Sequence, residues 1–389
     1  MSEQLELVIV GGGPAGLAAA QSFRDAGGAG EVAIVAEEGR MPYERPPLTK
    51  ELLRGESSED DLPLRDDSWL AANGVRLIGT RAVALDADKR TVTLADEREL
   101  GYRSCVLAPG AEPRRLPVAG VDDPGVRVLR TLDDLRELLG RLERGSTVGV
   151  VGSGFIGCEI AASLRHRGHP VALVSNEPAP QAERLGERIA ERLRSWLAEV
   201  GVDLFFGSPV EEIHRDGDHL TVRTDDARVT TDLVVMAVGV TPRLELARGA
   251  GLATPDRALG TDAAMRTTLE GLLAAGDACL AYNETAGRAL RVEHWGDALG
   301  QGKVAGRTAA GRNAAWTDVP GFWSTIGKHT LKQAAWGDGH DAVTFTEHQD
   351  GGFTAWYGRD GKIVGVLTND ADEDYERGRD LISIGAPMP

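Results

Sequence analysis

Residues 5–16, Leu-Glu-Leu-Val-Ile-Val-Gly-Gly-Gly-Pro-Ala-Gly, constrain this chain more than any other stretch. Leu5 to Val10 is a short apolar run of the kind that forms a buried parallel strand. It breaks into Gly11, Gly13 and Gly16, with Pro14 and Ala15 inside the motif, and a helix-type pattern follows at Leu17, Ala18, Ala20, Gln21, Phe23 and Arg24. In a G-x-G-x-x-G of this kind the first glycine permits the tight turn. The second lets backbone approach a pyrophosphate, and the third lets helix and strand pack closely. The free N–H groups and positive dipole end of the helix then hold phosphate. A second apolar run, Val32 to Val35, leads to Glu37, about 20 residues beyond Gly16, where a carboxylate accepts bonds from a ribose hydroxyl. A glycine-rich turn without ligand is the alternative, and it fits the full order of strand, motif, helix, strand and acid poorly.

Composition narrows the setting. The 389 residues suffice for two or three domains. No apolar stretch approaches the ~20 residues of a membrane helix. Glu3 and Glu6 stand where a secretory leader would be basic, so none is expected. A net charge of −17 argues against nucleic acid or an anionic membrane as partner. Cys105, Cys158 and Cys279 are far apart, form no C-x-x-C, and each adjoins an apolar run. They read as small buried hydrophobes rather than a disulfide framework or a metal site. A cytoplasmic location fits these features.

In Met41-Pro-Tyr-Glu-Arg-Pro-Pro-Leu-Thr-Lys, the prolines Pro46 and Pro47 fix an extended segment and can open a helix. Lys50 then sits near a helix N-terminus, where a cation opposes the macrodipole by ~0.3–1 kcal/mol. A nearby carboxylate or electron-rich ligand is expected to favour it; a solvated surface lysine is the alternative. Short strands are expected at Val75–Gly79, Ala82–Asp86 and Thr91–Leu94.

A second motif, Gly152-Ser-Gly154-Phe155-Ile156-Gly157, again lies between an apolar run and a helix pattern. Two such motifs in one chain point to a tightly held flavin and an exchangeable nicotinamide. Glu159 lies two residues beyond Gly157. The following strand, Val171–Val174, ends at Ser175 instead of an acid, with Glu177 two residues on. A carboxylate there selects the free 2′-hydroxyl of NAD. Serine is permissive, Glu177 and Glu183 oppose a phosphate, and Arg184 is the nearest cation. NADH is expected, with NADPH the alternative.

The segment Pro42-Tyr-Glu-Arg-Pro-Pro-Leu-Thr-Lys resembles the P-Y-x-R-P-P-L-S-K of the oxygenase-coupled, FAD-dependent NAD(P)H:ferredoxin reductase family, with apoptosis-inducing-factor proteins as more distant relatives. Thr49 replaces the usual serine. The resemblance continues through Leu107-Ala-Pro-Gly-Ala-Glu-Pro-Arg and Val238-Gly239-Val-Thr-Pro-Arg, which look like crossovers between domains. Pro109 departs from the usual threonine and removes an N–H. Leu273-Ala-Ala-Gly276-Asp277 looks like the flavin-binding A-x-G-D. Arg291-Val-Glu293-His294-Trp295 looks like the segment covering the isoalloxazine, and Phe322-Trp-Ser carries Thr325 in place of an acid.

The resemblance implies an α/β fold with two Rossmann-like dinucleotide-binding domains, for FAD and NAD, plus a C-terminal α+β domain. The boundaries expected are 1–114 with 243–319 for FAD, 115–242 for NAD(P)H and 320–389 for the last. It implies flavin contacts at Arg45, Lys50, Val83, Arg130, Asp277, Glu293, His294 and Trp295. Nicotinamide contacts are implied at Phe155, Ile156, Glu159 and Gly239. Lys50 and Glu159 are expected to form a direct ion pair beside the flavin and to support the chemistry without acid–base work. The implied reaction takes hydride from NADH to FAD and passes single electrons to a [2Fe-2S] or similar ferredoxin serving a cytochrome P450 or oxygenase. A thiol-flavin enzyme is a rival, but no cysteine falls in the matching region around Glu44 and Arg45. A slow redox-sensing interaction protein is the other. Lys303, Arg307, Arg312, Lys328 and Lys332, with the single acid Asp318 among them, form a candidate basic docking stretch.

Overall fold

A computed structural model describes residues 3–349 and 351–389. The first strand, β1 (Glu3–Val10), is buried from Leu7 onward because it lies in the middle of a sheet covered on both faces. It turns at the first glycine motif into α1 (Pro14–Asp25), with Pro14 at the first helical position, where its missing N–H costs nothing. The chain returns to β2 (Val32–Val35), parallel to β1. The seven-stranded sheet runs Val75–Ile78, β2, β1, Glu99–Leu107, Thr91–Leu94, Ala82–Asp86, and Leu272–Ala274 also pairs with Glu99–Leu107. Thr91–Leu94 and Ala82–Asp86 are the antiparallel members.

The second glycine motif lies between β3 (Val148–Val151) and α2 (Phe155–His166), followed by β4 (Val171–Ser175). These strands belong to an all-parallel sheet ordered Asp203–Phe206, β4, β3, Leu233–Met236, Val126–Arg127. The two segments read as crossovers lie side by side: Ala111–Pro113 pairs antiparallel with Val240–Pro242.

A long helix, α3 (Trp295–Ala309), covers α1. A Cβ on Gly302 would meet the Ala15 carbonyl oxygen at 2.3 Å, and one on Gly306 would meet that of Ala19 at 2.1 Å. The two helices therefore touch backbone to backbone, which pins the start of α1. The C-terminal region is a five-stranded antiparallel sheet, ordered Gly321–Ile326, His329–Ala335, Lys362–Asn369, Phe353–Arg359, Ala342–Glu347, with the helix Asp372–Ser383 packed on it. The strand His329–Ala335 escaped sequence reading because its Lys332 and Gln333 interrupt the apolar run. Asp360 and Gly361 both have positive φ, as the hairpin turn requires. Among the described residues no helix is long and apolar enough to cross a membrane.

Candidate functional site

Both glycine turns have the same steric logic. Gly11 has φ +126°, and a Cβ there would lie 1.9 Å from the Ala108 carbonyl oxygen. A Cβ on Gly16 would lie 2.1 Å from the Gly11 carbonyl oxygen, whereas one on Gly13 would meet nothing within 4 Å. In the second turn a Cβ on Gly152 would meet Ala237 O at 2.4 Å and one on Gly157 would meet Gly152 O at 1.9 Å. At Gly154 the nearest atom is Gln181 Nε2 at 3.6 Å. Neither α1 nor α2 has a side-chain cap or an acid in its first turn. By contrast, the helix Leu132–Arg141 is capped by a Thr131–Asp134 box. Two helix N-termini thus present uncapped N–H groups to open space beside a closely folded turn, a fit for the phosphates of two dinucleotides. Apolar Val83 and Ile156, 46% and 48% exposed, are available to a planar ring system.

Around the first turn the structure gathers residues far apart in sequence. Glu37, just past β2, pairs with Arg243 at 3.1 Å on the surface. Its neighbour Glu38, which the sequence did not single out, takes Arg45 at 2.5 Å and the Tyr43 hydroxyl at 2.6 Å. Burial pushes the Tyr43 hydroxyl well above its usual range, with Arg45 opposing. Arg45 also donates to the Arg130 carbonyl at 2.8 Å, and the Arg130 guanidinium reaches Asp277 at 2.7 Å. Asp277 follows Gly276, whose φ is +84° and whose N–H donates to the buried Gln301 Oε1 at 2.8 Å. Arg45, Arg130 and Asp277 therefore form one connected group.

At the second turn Ser175 is buried. Its Oγ accepts from Ser153 Oγ at 2.8 Å and from the Glu177 N–H at 3.2 Å. Glu177 carries the charge at this strand end. Burial, and then Glu183, raise its carboxyl above the usual value, with the backbone amides of Ala182 and Gln181 opposing. Gly239, at φ +94°, accepts from the Arg114 N–H at 2.9 Å through its carbonyl.

Glu159 is the centre where three parts of the chain meet. Lys50 Nζ lies 2.8 Å from Glu159 Oε2, and the two residues are 4% and 2% exposed. The expected direct ion pair is present. Lys50 sits at the junction between the 3-10 turn Pro46–Thr49 and the short helix Glu51–Arg54, so the carboxylate offsets the unfavourable helix end. Thr49 Oγ1 donates to Oε2 at 2.5 Å, and Ser324 Oγ, from the C-terminal sheet, donates to Oε1 at 2.7 Å. Ser163 Oγ, one turn after Glu159, donates to the Thr49 carbonyl at 2.7 Å. A buried pair with this many donors meets the condition under which an internal charge is tolerated.

Beside this network, Phe155 and Phe322 meet edge to face at 4.7 Å, and His294 lies 4.8 Å from Phe322. Arg184 lies over both phenyl rings, at 5.7 and 5.2 Å, rather than at the Ser175 strand end. His294 is the N-cap of α3, but its ring meets Asp297 at 3.3 Å instead of capping the backbone; Trp295 follows as the first helical residue. Glu293 is exposed and paired with Arg291 at 2.9 Å.

The basic stretch is smaller than its sequence suggests. Lys328 pairs with Glu199 and Lys332 with Asp372, each at 2.7 Å. Those acids come from distant segments, so counting acids within the stretch missed them. Lys303 and Arg307 remain exposed on α3, and Arg312 donates to the Ala26 carbonyl at 3.0 Å. The three cysteines are free and buried, and burial pushes every thiol far above its usual range, so none is poised as a nucleophile.

Comparison with known proteins agrees with this arrangement. The family model described as pyridine nucleotide-disulphide oxidoreductase matches residues 5–302. The ferredoxin–NAD(+) reductase component of the anthranilate 1,2-dioxygenase system of Burkholderia cepacia is 32% identical over 392 residues, covering 98% of this chain and 95% of that protein. The crystal structure of a ferredoxin reductase for the CYP199A2 system of Rhodopseudomonas palustris superposes with a TM-score of 0.93 at 30% identity, covering 99% and 96% of the two chains. Putidaredoxin reductase, in its covalent complex with putidaredoxin, gives 0.92 at 28% identity, covering 98% and 94%.

Proposed function

Because this chain belongs to the pyridine nucleotide-disulphide oxidoreductase family, we propose that it is an FAD-dependent, NADH-preferring ferredoxin reductase of the cytoplasm that serves a cytochrome P450 or oxygenase. The single observation that carries this reading is the pair of uncapped glycine turns, the second of them carrying Glu159 in a buried pair with Lys50 of the 46–54 segment. When bound, the two nucleotides supply the chemistry: hydride passes from nicotinamide to flavin, and single electrons leave for ferredoxin.

The chain's own residues bind and orient. The Gly11–Gly16 turn with Pro14 and Ala15, Glu37, Arg45, Val83, Arg130, Asp277, Glu293, His294 and Trp295 would hold FAD. The Gly152–Gly157 turn with Phe155, Ile156, Ser175, Glu177 and Gly239 would hold the nicotinamide nucleotide. Lys50 and Glu159 fix charge where the two meet. The division into 1–114 with 243–319, 115–242, and 320–389 draws support from the paired crossovers at Ala111–Pro113 and Val240–Pro242. NADH draws support from Glu177 and Glu183 and from a buried Ser175.

The family's disulphide chemistry has no counterpart in three inert thiols. A steady-state assay tests the whole reading: the yellow protein, with one FAD per chain, should reduce a ferredoxin from the same genome, faster with NADH than NADPH. A colourless protein that cannot be reconstituted, or one that reduces no ferredoxin, would refute it. Docking should use Lys303 and Arg307, so Lys303→Glu with Arg307→Glu should slow ferredoxin reduction at low salt and leave flavin reduction unchanged.

A further inference from the structure

We propose that Ser324 is the positioning residue for Glu159, a hydroxyl through which the C-terminal sheet fixes the orientation of the buried carboxylate. The inference rests on the two-nucleotide reading above. The two carboxylate oxygens are served unequally. Oε2 has Thr49 and Lys50, whereas Oε1 has Ser324 alone among the described residues. Without the Ser324 hydroxyl, Oε1 is a buried charged acceptor with no donor, which is costly. Rotating to find another donor would take Oε2 off Lys50 and Thr49.

Ser324 is built to hold this place. It is 1% exposed in the strand Gly321–Ile326. The residues two before and two after share its face. Phe322 packs on Phe155, and Ile326 is fully buried in a core with Leu48 and Leu331. The neighbouring Thr325 points to the other face, where its Oγ1 lies 3.1 Å from Thr330 Oγ1. Three inward side chains of one strand thus hold the C-terminal sheet against α2 and the 46–54 segment, and the middle one carries the hydrogen bond. The sequence placed Ser324 in a family-like Phe-Trp-Ser segment, but its partner lies 165 positions away.

The test uses the holoenzyme, with stopped-flow flavin reduction at varied NADH, on Ser324→Ala, Ser324→Cys, Ser324→Thr and Thr325→Val. Ala and Cys, which lack a strong donor, should lower the limiting rate about tenfold, with NADH binding changed less than about twofold. Ser324→Thr keeps the hydroxyl and should retain the rate. Thr325→Val should match wild type. Ser324→Cys preserves volume, so it carries the test if Ser324→Ala does not fold. Wild-type limiting rates in both Ala and Cys would overturn the proposal. So would an equal loss in Thr325→Val, which would assign the effect to a loosened strand. A second readout does not need turnover. The infrared carboxylate stretch of Glu159, isolated as the difference against Glu159→Gln, should shift in Ser324→Ala, and an unshifted band overturns the proposal. A flavin-loaded wild type that NADH does not reduce would refute the reductase reading, while the infrared shift would still decide the role of Ser324.

Discussion

At Gly16 and Gly157 the same contact recurs: a Cβ would lie 2.1 Å from the Gly11 carbonyl oxygen in the first turn and 1.9 Å from the Gly152 carbonyl oxygen in the second. Two residues further along each helix the turns part company. Ala18 and Glu159 occupy equivalent positions, and both are 2% exposed. Ala18 belongs to a helix pressed against α3 at Gly302 and Gly306. Glu159 belongs to a helix whose neighbours are the 46–54 segment and the first strand of the C-terminal sheet. The first cradle is therefore closed by small residues and carries no charge at this position. The second has similar backbone, but a carboxylate whose partners come from two other parts of the chain. The comparison teaches that one local backbone solution, a tight glycine turn with an uncapped helix start, sits in two different surroundings, and that the difference is set by what packs on the helix.

The strongest way to break this comparison is to remove one charge. Lys50→Met leaves Glu159 buried without a counter-ion and should cost about 3–5 kcal/mol. The double variant Lys50→Met with Glu159→Leu should recover part of that, since an apolar pair of similar volume replaces the buried ion pair while the Thr49 and Ser324 hydroxyls lose their acceptor. Denaturation midpoints of the three proteins decide it. The converse, Ala18→Glu, puts a carboxylate among backbone and alanines and should fold poorly. If Ala18→Glu is as stable as wild type, the two helices are not environmentally distinct.

The middle glycines separate the cradles by ligand rather than by stability. Gly13→Val and Gly154→Val both extend into space, so both proteins should fold. The first should purify without FAD. The second should keep FAD and lose NADH reduction by about a hundredfold or more, as expected when backbone cannot approach a pyrophosphate. Flavin absorbance and stopped-flow rates read the two outcomes. Flavin loss from both variants, or neither, would show that the cradles are not assigned as proposed.

Much of this was legible in the sequence, for a physical reason. The glycine turns, their flanking strands and the strands of residues 75–94 are set by local sterics and short-range periodicity, and the structure has them where expected. The Lys50–Glu159 pair was legible because Lys50 was expected at a helix start, Glu159 lies two residues beyond a glycine turn, and the family resemblance brings both segments to the flavin. Glu38, Gln301 and Ser324 were not. Each acts through hydrogen bonds or an ion pair whose meaning depends on the fold, and the local pattern around each names no partner. Gly302 and Gly306 had a signal, their spacing of one helical turn, which the sequence reading did not use. Lys328 and Lys332 misled because a charge count along the chain ignores acids brought in from elsewhere.

The smallest expected effect sharpens the comparison at the strand ends. Glu37 is exposed and paired with Arg243, whereas Glu177 is partly buried near Glu183 and its carboxyl is raised by that burial. A carboxyl raised in the folded state binds protons more readily there than in the unfolded chain. Its ionisation therefore destabilises the fold, and stability falls as pH rises from the unfolded value, about 4.3, through the raised folded value. Glu177→Gln removes that loss. The variant should be more stable than wild type at neutral pH, by less than about 1 kcal/mol since solvent reaches the site. The difference should vanish below the unfolded value, where both proteins are uncharged at this position. The same change should narrow the NADH-over-NADPH ratio of kcat/KM several-fold, because the proposed nicotinamide site would then oppose a 2′-phosphate with one carboxylate fewer. Glu37→Gln should show no comparable gain at neutral pH, since it breaks an ion pair and relieves no desolvation. If Glu177→Gln is no more stable than wild type at pH 7, or the nucleotide ratio does not move, Glu177 does not play the part of the missing strand-end acid.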